Sequence, residues 1–309
     1  MSALHTFVSY TETGLVIGSL YALIALGYTL VYGVLQLINF AHSEVFMLGS
    51  FGGLFAARAV EPSGSPTVVR AILTMAVGLI CGAAAGGLAA FTLERTAYAP
   101  LRRRSAPKLA YLISAIGASL FASNLAGKEF GRQSVPLAAP FDLFHKVFSV
   151  DGVTVSSLDI VIVVSAIAML VFLDRLVART RLGQSIRAVA QDQDTASLMG
   201  VNVEKVIILT FVIGGLLAGA GGFLYTVKFN ASFTMGFFPG VKAFSAAVLG
   251  GIGNVRGAVL GGLLIGLVEN YSVALWDASY VNVVSFLVLV LVLLIRPTGL
   301  LGEKTARTA

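Results

Sequence analysis

The chain has 309 residues, of which 57% are apolar and only 12% are charged, and its mean hydropathy is +0.90. A soluble chain carries roughly 25% charged residues, so this chain lacks the polar groups to cover a water-facing surface. The composition therefore excludes a soluble globular protein. It predicts an all-α polytopic membrane protein instead.

Apolar runs long enough to cross a membrane recur along the chain. They lie at residues 7–34, 40–59, 69–93, 109–126, 158–177, 206–227, 240–252, 257–276 and 281–295. The run at 240–252 is short and rich in glycine, which is typical of a broken or re-entrant helix. We expect one transmembrane permease domain over residues 1–309, with a bundle of about 8–10 helices and at least one broken segment.

The positive charges lie mainly in three connectors between these runs. Basic connectors span about 94–108 and 178–205, and a basic tail follows residue 295. Positive residues beside membrane spans mark the cytoplasmic side, so we expect all three there and no binding to nucleic acid. The connector at about 127–157, which contains Pro136 and Pro140, is then an irregular external loop. Tracing the spans backwards leaves the N-terminus outside.

Motifs of several enzyme classes are missing from the sequence. It has no GxxxxGK[ST] phosphate loop, no HExxH zinc motif and no GxSxG nucleophile elbow. Cys81 is the single cysteine, so no disulfide framework is expected. We predict no catalytic residue, no metal and no cofactor, and hence that the protein is not an enzyme. If it transports with ATP, another subunit must supply the energy.

Three polar residues interrupt the apolar N-terminal region, namely Asn39, His42 and Glu44. In one interpretation they are structural: Asn39 caps the second helix at the membrane interface, and the carboxylate meets the positive end of that helix. In the other, they lie at a break between two helices beside the transport pathway, because ionisable residues inside a membrane mark functional sites. Asn39 and His42 are three apart and share a helix face, whereas Glu44 lies about 200° from His42. We therefore expect Glu44 to pair with a different segment.

Polar side chains on the first span are further candidates for the pathway. Tyr21 and Tyr28 are seven residues apart and share a face, and Thr29 follows them. A zwitterionic aliphatic ligand needs an apolar wall and a few such groups. Ordinary packing is the structural alternative for all three.

Several spans also carry glycines four residues apart, which give a helix a flat face. The glycines are Gly78, Gly82 and Gly86; Gly215 and Gly219; Gly257 and Gly261; Gly262 and Gly266. Such faces suit close packing within one bundle, or alternatively a subunit interface.

The connector at 178–205 has apolar residues at helical spacing, such as Ile186 and Val189, with charged residues between them. We expect a short amphipathic helix followed by a turn at Gly200. Such a helix can lie on the membrane surface or in a groove of a soluble partner protein. The acidic residues at its end, such as Asp192, disfavour anionic lipid and so favour the partner protein.

At this point the sequence resembles a known family. The connector segment RTRLGQSIRAVAQDQDTASLMGVN is similar to the cytoplasmic loop of the branched-chain amino-acid permeases of bacterial ABC importers. The segment GLVIGSLYALIALGYTLVYGVLQLINFAHSEVFMLGSF resembles the N-terminal signature of their shorter, H-type subunit, and AVLGGIGNVRGAVLGGLLIGLVE and RPTGLLG resemble other family segments. Urea and short-amide importers are similar too, so both substrate classes stay open.

The resemblance implies a multi-pass permease subunit of the bacterial inner membrane that moves branched-chain or related amino acids. Its implied partners are a second related permease, two cytoplasmic ATPase subunits and a periplasmic or lipid-anchored binding protein, besides the membrane lipid. An autonomous channel or secondary transporter is the alternative from another class. The connector argues against that alternative, because an autonomous carrier has no obvious task for it.

Residue by residue, two parts of the family pattern can be carried over to this chain. The connector positions that match the loop expected to dock on the ATPase are Gly183, Arg187, Ala188, Asp192, Ala196 and Gly200. The segment at 39–44 matches the N-terminal motif except at Ser43, where the family usually has glycine. Because that hydroxyl can bond to a carbonyl of the preceding turn, we do not expect a close backbone approach there.

Overall fold

The computed structural model describes residues 3–60, 68–137, 148–150, 153–275 and 277–302. The described residues of the first half of the chain form mainly long helices. In chain order they are α1 (Ala3–Leu35), α2 (His42–Val60), α3 (Val68–Leu93), a π turn (Glu94–Tyr98), α4 (Ala99–Arg103) and α5 (Lys108–Glu129). A hairpin follows, with strands β1 (Phe148–Val150) and β2 (Val153–Val155) paired antiparallel.

The second half contains the helical connector and the remaining spans. In chain order these are α6 (Ser157–Arg179), α7 (Arg181–Gln191), α8 (Gln193–Leu198), α9 (Val203–Phe229), α10 (Phe237–Gly250), α11 (Val255–Leu275), a 3-10 turn (Ala278–Tyr280) and α12 (Val281–Ile295). Among the described residues, 7 helices are long and apolar enough to cross a membrane. Helix α2 has 19 residues but is not among these seven, and α10 is a shorter apolar helix of 14 residues. The predicted all-α polytopic fold is confirmed, and each apolar run is a helix.

Side-chain caps set where several helices begin. Ser156 Oγ accepts a hydrogen bond from the Asp159 amide (3.2 Å), and the Asp159 carboxylate accepts one from the Ser156 amide (3.2 Å), which makes a capping box at α6. The Thr180 side chain accepts from the Gly183 amide at the start of α7, and the Asn202 side chain accepts from the Lys205 amide at the start of α9. These caps satisfy amides that would otherwise be unpaired at a helix start, and so they fix the bends of the connector.

Glycines bring the central helices into close contact. A Cβ at Gly219 of α9 would overlap the carbonyl oxygen of Gly82 in α3. A Cβ at Gly266 of α11 would likewise overlap the backbone of Gly18 in α1. These are glycines of the predicted flat faces, and their partners belong to the same chain. The structure therefore favours packing within one bundle as the role of these faces.

The most buried long helices are α1 and α9, whereas α5, α6 and α12 lie at the periphery. The peripheral helices expose large apolar side chains, which include Ile113, Leu120, Val164, Phe172 and Leu294. An apolar outer surface of this kind suits contact with lipid.

The basic connectors all lie at one end of the bundle. Arg103, after α3, donates to Glu204 at the start of α9 (2.9 Å). Arg256, at the start of α11, pairs with Asp174 near the end of α6 (2.9 Å). The amide of Leu301 in the C-terminal turn donates to the end of α10 (2.9 Å). The predicted grouping of these segments on one side agrees with the structure.

The start of α1 lies at the opposite end of the bundle, together with the loop after α5. Thr11 of α1 contacts Tyr271 near the end of α11 (2.6 Å between hydroxyl oxygens). In the loop, Val135 forms a β-bridge with Ala231. The loop is thus not irregular throughout, because this bridge and the β1–β2 hairpin order parts of it. Pro140 lies outside the described residues.

The first basic connector also differs from the prediction, since it is helical up to Arg103. The π turn lets the amide of Ala99 bond to the carbonyl of Glu94, one residue further back than in an α-helix. Pro100, which has no amide hydrogen, then falls in the first turn of α4. The helix therefore continues past the proline and carries the basic residues on its extension.

Candidate functional site

The segment between α1 and α2 turns back into the bundle. The end of α1 lies on the side of the basic connectors, where Gln193 donates to the carbonyl of Val34 (3.3 Å). However, α2 begins at His42, whose imidazole packs against Gly27, about 12 Å of helix before the end of α1. Residues 36–41 are thus non-helical backbone that reaches into the interior of the helix bundle. Such backbone exists inside a membrane only where protein buries it or where it lines a cavity.

His42 lies in the protein interior, with a side chain that is 1% exposed. Its ring meets the ring of Tyr28 edge-on, with 4.8 Å between centroids. A Cβ at position 27 would overlap the imidazole, so the glycine there makes room for the ring. The structural interpretation of the sequence placed His42 at the membrane–water interface. The structure places it in the protein interior instead.

Asn39 is also buried, and it lies before α2 instead of capping it directly. Its Oδ1 accepts hydrogen bonds from the Ala41 amide (3.1 Å) and from the Tyr98 hydroxyl (2.9 Å). Tyr98 belongs to the π turn after α3, so this turn is attached to the α1–α2 segment. Asn39 also lines a small crevice together with Tyr28 and Phe244. Asn39 and His42 thus both lie beside Tyr28.

Glu44 points away from His42, as expected. Its Oε1 accepts a hydrogen bond from the Ser119 hydroxyl on α5 (3.1 Å). Its Oε2 lies beside Gly236, just before α10, where an added Cβ would come within 2.9 Å of it. Among the described residues, no basic side chain pairs with this carboxylate. The positive ends of α2 and α10 are the nearest compensation for its charge.

Ser43 behaves only partly as predicted. Its hydroxyl does donate to the carbonyl of Phe40 (2.9 Å). The expectation against a close approach is wrong, because a Cβ at Gly240 of α10 would overlap the Cβ of Ser43. The glycine that permits the close approach is Gly240 on α10, and not a glycine at position 43. Because α10 is only about 21 Å long and ends on the connector side, its start lies at depth, next to the start of α2.

Four predicted pathway residues share one feature: each has a buried polar atom without a hydrogen-bond partner among the described residues. These atoms are Thr29 Oγ1, Asn39 Nδ2, His42 Nε2 and Glu44 Oε2. Each such atom costs about 1–3 kcal/mol, and folded proteins contain few of them. We refer to Thr29, Asn39, His42 and Glu44 as the helix-break site. It offers donors and acceptors between two helix starts, an arrangement that suits a polar ligand.

Tyr21 belongs to a different cluster, which the sequence analysis missed. Its hydroxyl donates to Glu269 of α11 (2.9 Å), and Glu269 forms an ion pair with Lys242 of α10 (3.0 Å). Ser285 of α12 donates to the same carboxylate (2.6 Å). Lys242 and Glu269 are single charges inside the apolar runs at 240–252 and 257–276, which was the signal that would have found them.

The connector contains two helices, α7 and α8, where one was predicted. Residues of α7 stabilise the bend between α6 and α7. A Cβ at Gly183 would overlap the Val177 carbonyl oxygen, and Arg187 donates a hydrogen bond to the same carbonyl. Ala188 is half-buried beside them. The contacts of Gly183 and Arg187 are thus within the chain, although the Arg187 side chain remains exposed.

The later connector residues shape α8 and the turn behind it. Asp192 caps α8, and the hydrogen bond from the Thr195 hydroxyl holds the pKa of Asp192 below its usual value. Ala196 is buried, and Gly200 has a φ of +85° in the turn, as expected for glycine there. The turn after α8 leaves two large apolar side chains in the open: Leu198 is 88% exposed and Met199 is 81% exposed. This exposed pair was not predicted from the sequence.

The architecture defines a class of protein. Apolar helices surround two short helices that start at depth, and a helical connector projects from the basic side; these are features of a multi-pass membrane permease. The comparisons give the family. The family described as "Branched-chain amino acid transport system / permease component" matches residues 10–293.

Individual relatives match along the whole chain. The permease protein BraD of Pseudomonas aeruginosa, named for high-affinity branched-chain amino acid transport, is 39% identical over 98% of this chain and 98% of its own. LivH of Escherichia coli, with the same description, is 41% identical over 96% of both chains. A probable branched-chain permease LivH of Methanocaldococcus jannaschii is 26% identical over 94% of this chain and 91% of its own.

The chain therefore belongs to the branched-chain amino acid transport permease family. The resemblance found in the sequence is confirmed, and so is the prediction that the chain is a permease component and not an enzyme. Membership also implies a transporter complex in which other subunits bind ATP and the substrate.

Proposed function

We propose that this chain is the H-type permease subunit of an ABC importer that carries branched-chain amino acids across the bacterial inner membrane. The observation that carries the proposal is its similarity, over nearly the full length, to relatives named for high-affinity branched-chain amino acid transport. In this proposal, residues 1–309 form a single transmembrane domain.

The helix-break site lies on the pathway of the amino acid. Support comes from its four unpaired polar atoms, which lie on two sides of the start of α2 and which the ammonium and carboxylate groups of a passing zwitterion would satisfy in turn. Tyr28 and Phe244 supply an apolar wall next to Asn39. The starts of α2 and α10 add positive ends that favour a carboxylate. Because a binding protein does most of the selecting, a few polar groups in an apolar wall are adequate.

The connector at 178–205 docks on a cytoplasmic ATPase subunit. Gly183, Arg187 and Asp192 shape its two helices, and the exposed pair Leu198 and Met199 supplies apolar area for a groove on the partner. The complete importer contains two ATPase subunits, a second related permease, and a periplasmic or lipid-anchored binding protein.

The test is uptake by the complete complex in proteoliposomes, with and without the binding protein. A panel of leucine, isoleucine, valine, other amino acids and urea identifies the substrate. We expect ATP-dependent uptake of the three branched-chain amino acids that requires the binding protein. Uptake of urea in place of these amino acids, or uptake by this chain without ATPase subunits, would overturn the proposal.

A further inference from the structure

Four helices meet at a buried ion pair that lies apart from the helix-break site. Lys242 of α10 and Glu269 of α11 are 9% and 4% exposed. Both oxygens of the Glu269 carboxylate are engaged, since it accepts from Lys242 (3.0 Å), from Tyr21 of α1 (2.9 Å) and from Ser285 of α12 (2.6 Å). Glu269 is therefore well supplied with donors from the protein.

Lys242 is not satisfied in the same way. An ammonium group has three donors. Among the described residues, Lys242 has one carboxylate oxygen as partner, and its nitrogen lies 5.7 Å from the centre of the Tyr21 ring. A buried cation with free donors is costly in a membrane, and such residues mark the paths of ions and substrates. The group that it lacks is a second anionic oxygen.

The surroundings of Lys242 fit the carboxylate end of an aliphatic amino acid. Lys242 lies in the second turn of α10, near the positive end of that helix, which starts at depth. Phe238 is four residues earlier on the same helix face, and its side chain is 58% exposed. An anionic oxygen next to Lys242 would thus have an apolar surface beside it.

We infer that Lys242 is a second binding position on the pathway, where its ammonium takes the α-carboxylate of the amino acid while Glu269 holds the lysine in place. This inference rests on the proposed function. It adds a substrate-binding residue on α10 to the helix-break site. Glu269 acts here as a positioning residue, because its oxygens are already occupied by three donors of the protein.

The alternative is a purely structural ion pair that ties α10 to α11. Two double variants separate these roles. Lys242→Gln with Glu269→Gln removes both charges together, so neither is left buried without its partner. Lys242→Glu with Glu269→Lys keeps an ion pair but moves the ammonium to α11. A structural pair tolerates both changes, whereas a carboxylate position at Lys242 tolerates neither.

The measurement is leucine transported per ATP hydrolysed by the complete complex in proteoliposomes, at matched abundance. We expect both variants to hydrolyse ATP while leucine per ATP falls by at least about tenfold, the loss typical of one hydrogen bond to a charged group. The control is a second lysine–carboxylate pair, Lys228 and Asp159 (2.5 Å), in which the carboxylate is buried and the lysine is partly exposed. Its neutral double variant, Lys228→Gln with Asp159→Asn, should transport leucine with the wild-type ratio.

Leucine per ATP at the wild-type value in either Lys242 variant would overturn this inference and leave the proposed function standing. Failure of both variants to assemble, with the Lys228 control assembled, would also overturn it, because the pair would then be a structural requirement. A wild-type complex that transports no branched-chain amino acid would overturn both the inference and the proposed function.

Discussion

Neutralising Glu44 gives a sharp test of the helix-break site. The variant Glu44→Gln keeps the size of the side chain and one carbonyl oxygen for the Ser119 hydroxyl, which now lies 3.1 Å from Oε1. It removes the charge that lies between the starts of α2 and α10. If the carboxylate serves the substrate ammonium, uptake must fall while the protein still assembles.

The magnitudes follow from the contacts of the carboxylate. Removing one member of a buried ion pair costs about 3–5 kcal/mol, but Glu44 has no basic partner among the described residues, so that cost does not arise. The Ser119 hydrogen bond changes from a charged to a neutral acceptor, a loss of about 1 kcal/mol. Relief from burying a charge opposes this loss. We expect membrane abundance close to that of the wild type, and uptake lower by about tenfold, the worth of one charge-assisted hydrogen bond.

Membrane abundance is measured on a fluorescent fusion, and uptake with labelled leucine in the complete importer. The control is Glu12→Gln, because Glu12 is another carboxylate with a buried, unpaired oxygen but lies toward the opposite end of the bundle. Uptake equal to the wild type in Glu44→Gln, at equal abundance, would refute a role of this carboxylate on the pathway. Loss of abundance in Glu44→Gln alone would show that the charge is structural.

Three further predictions concern other parts of the chain. His42→Gln should lower uptake with near-normal abundance, since only the ring contact with Tyr28, worth about 0.5–1.5 kcal/mol, and the hydrogen bond to the Ile24 backbone, worth about 1 kcal/mol, are lost; unchanged uptake would make His42 structural. Gly219→Leu should abolish assembly through overpacking of at least about 1–3 kcal/mol, whereas Gly117→Leu, which meets nothing within 4 Å, should assemble normally in the same fractionation experiment. Replacing both Leu198 and Met199 by Ser should reduce co-purification of the ATPase subunits and ligand-stimulated ATP hydrolysis, with no loss of insertion; full co-purification would remove the docking role.

The helices of this fold were predictable because their signal is local. A run of apolar residues needs no knowledge of its neighbours, so the spans and the short segment at α10 could be read from the sequence. The continuation of the helix beyond Leu93 was not predictable from the sequence. Basic residues and a proline usually indicate a helix end, but here a π turn before Pro100 lets the helix continue.

The geometry of the site depends on packing that no single segment encodes. The residue types at Asn39, His42 and Glu44 pointed to a site, and the helical angle correctly separated Glu44 from His42. The depth of the start of α2 follows from glycines on other helices, such as Gly27 and Gly240, which make room for it. A sequence shows that these are glycines but does not show which side chain each one faces.

The most direct measurement of the central claim is solvent access at the helix break during transport. A cysteine is introduced as Ser43→Cys, next to Glu44 on α2, in a Cys81→Ser background, and its reaction with a small neutral thiol reagent is followed in the complete importer. The account predicts that the thiol reacts when ATP and the binding protein are supplied, and that leucine slows the reaction. A thiol that stays unreactive under all these conditions, or that reacts at a rate leucine does not change, would contradict the claim that the amino acid passes this site.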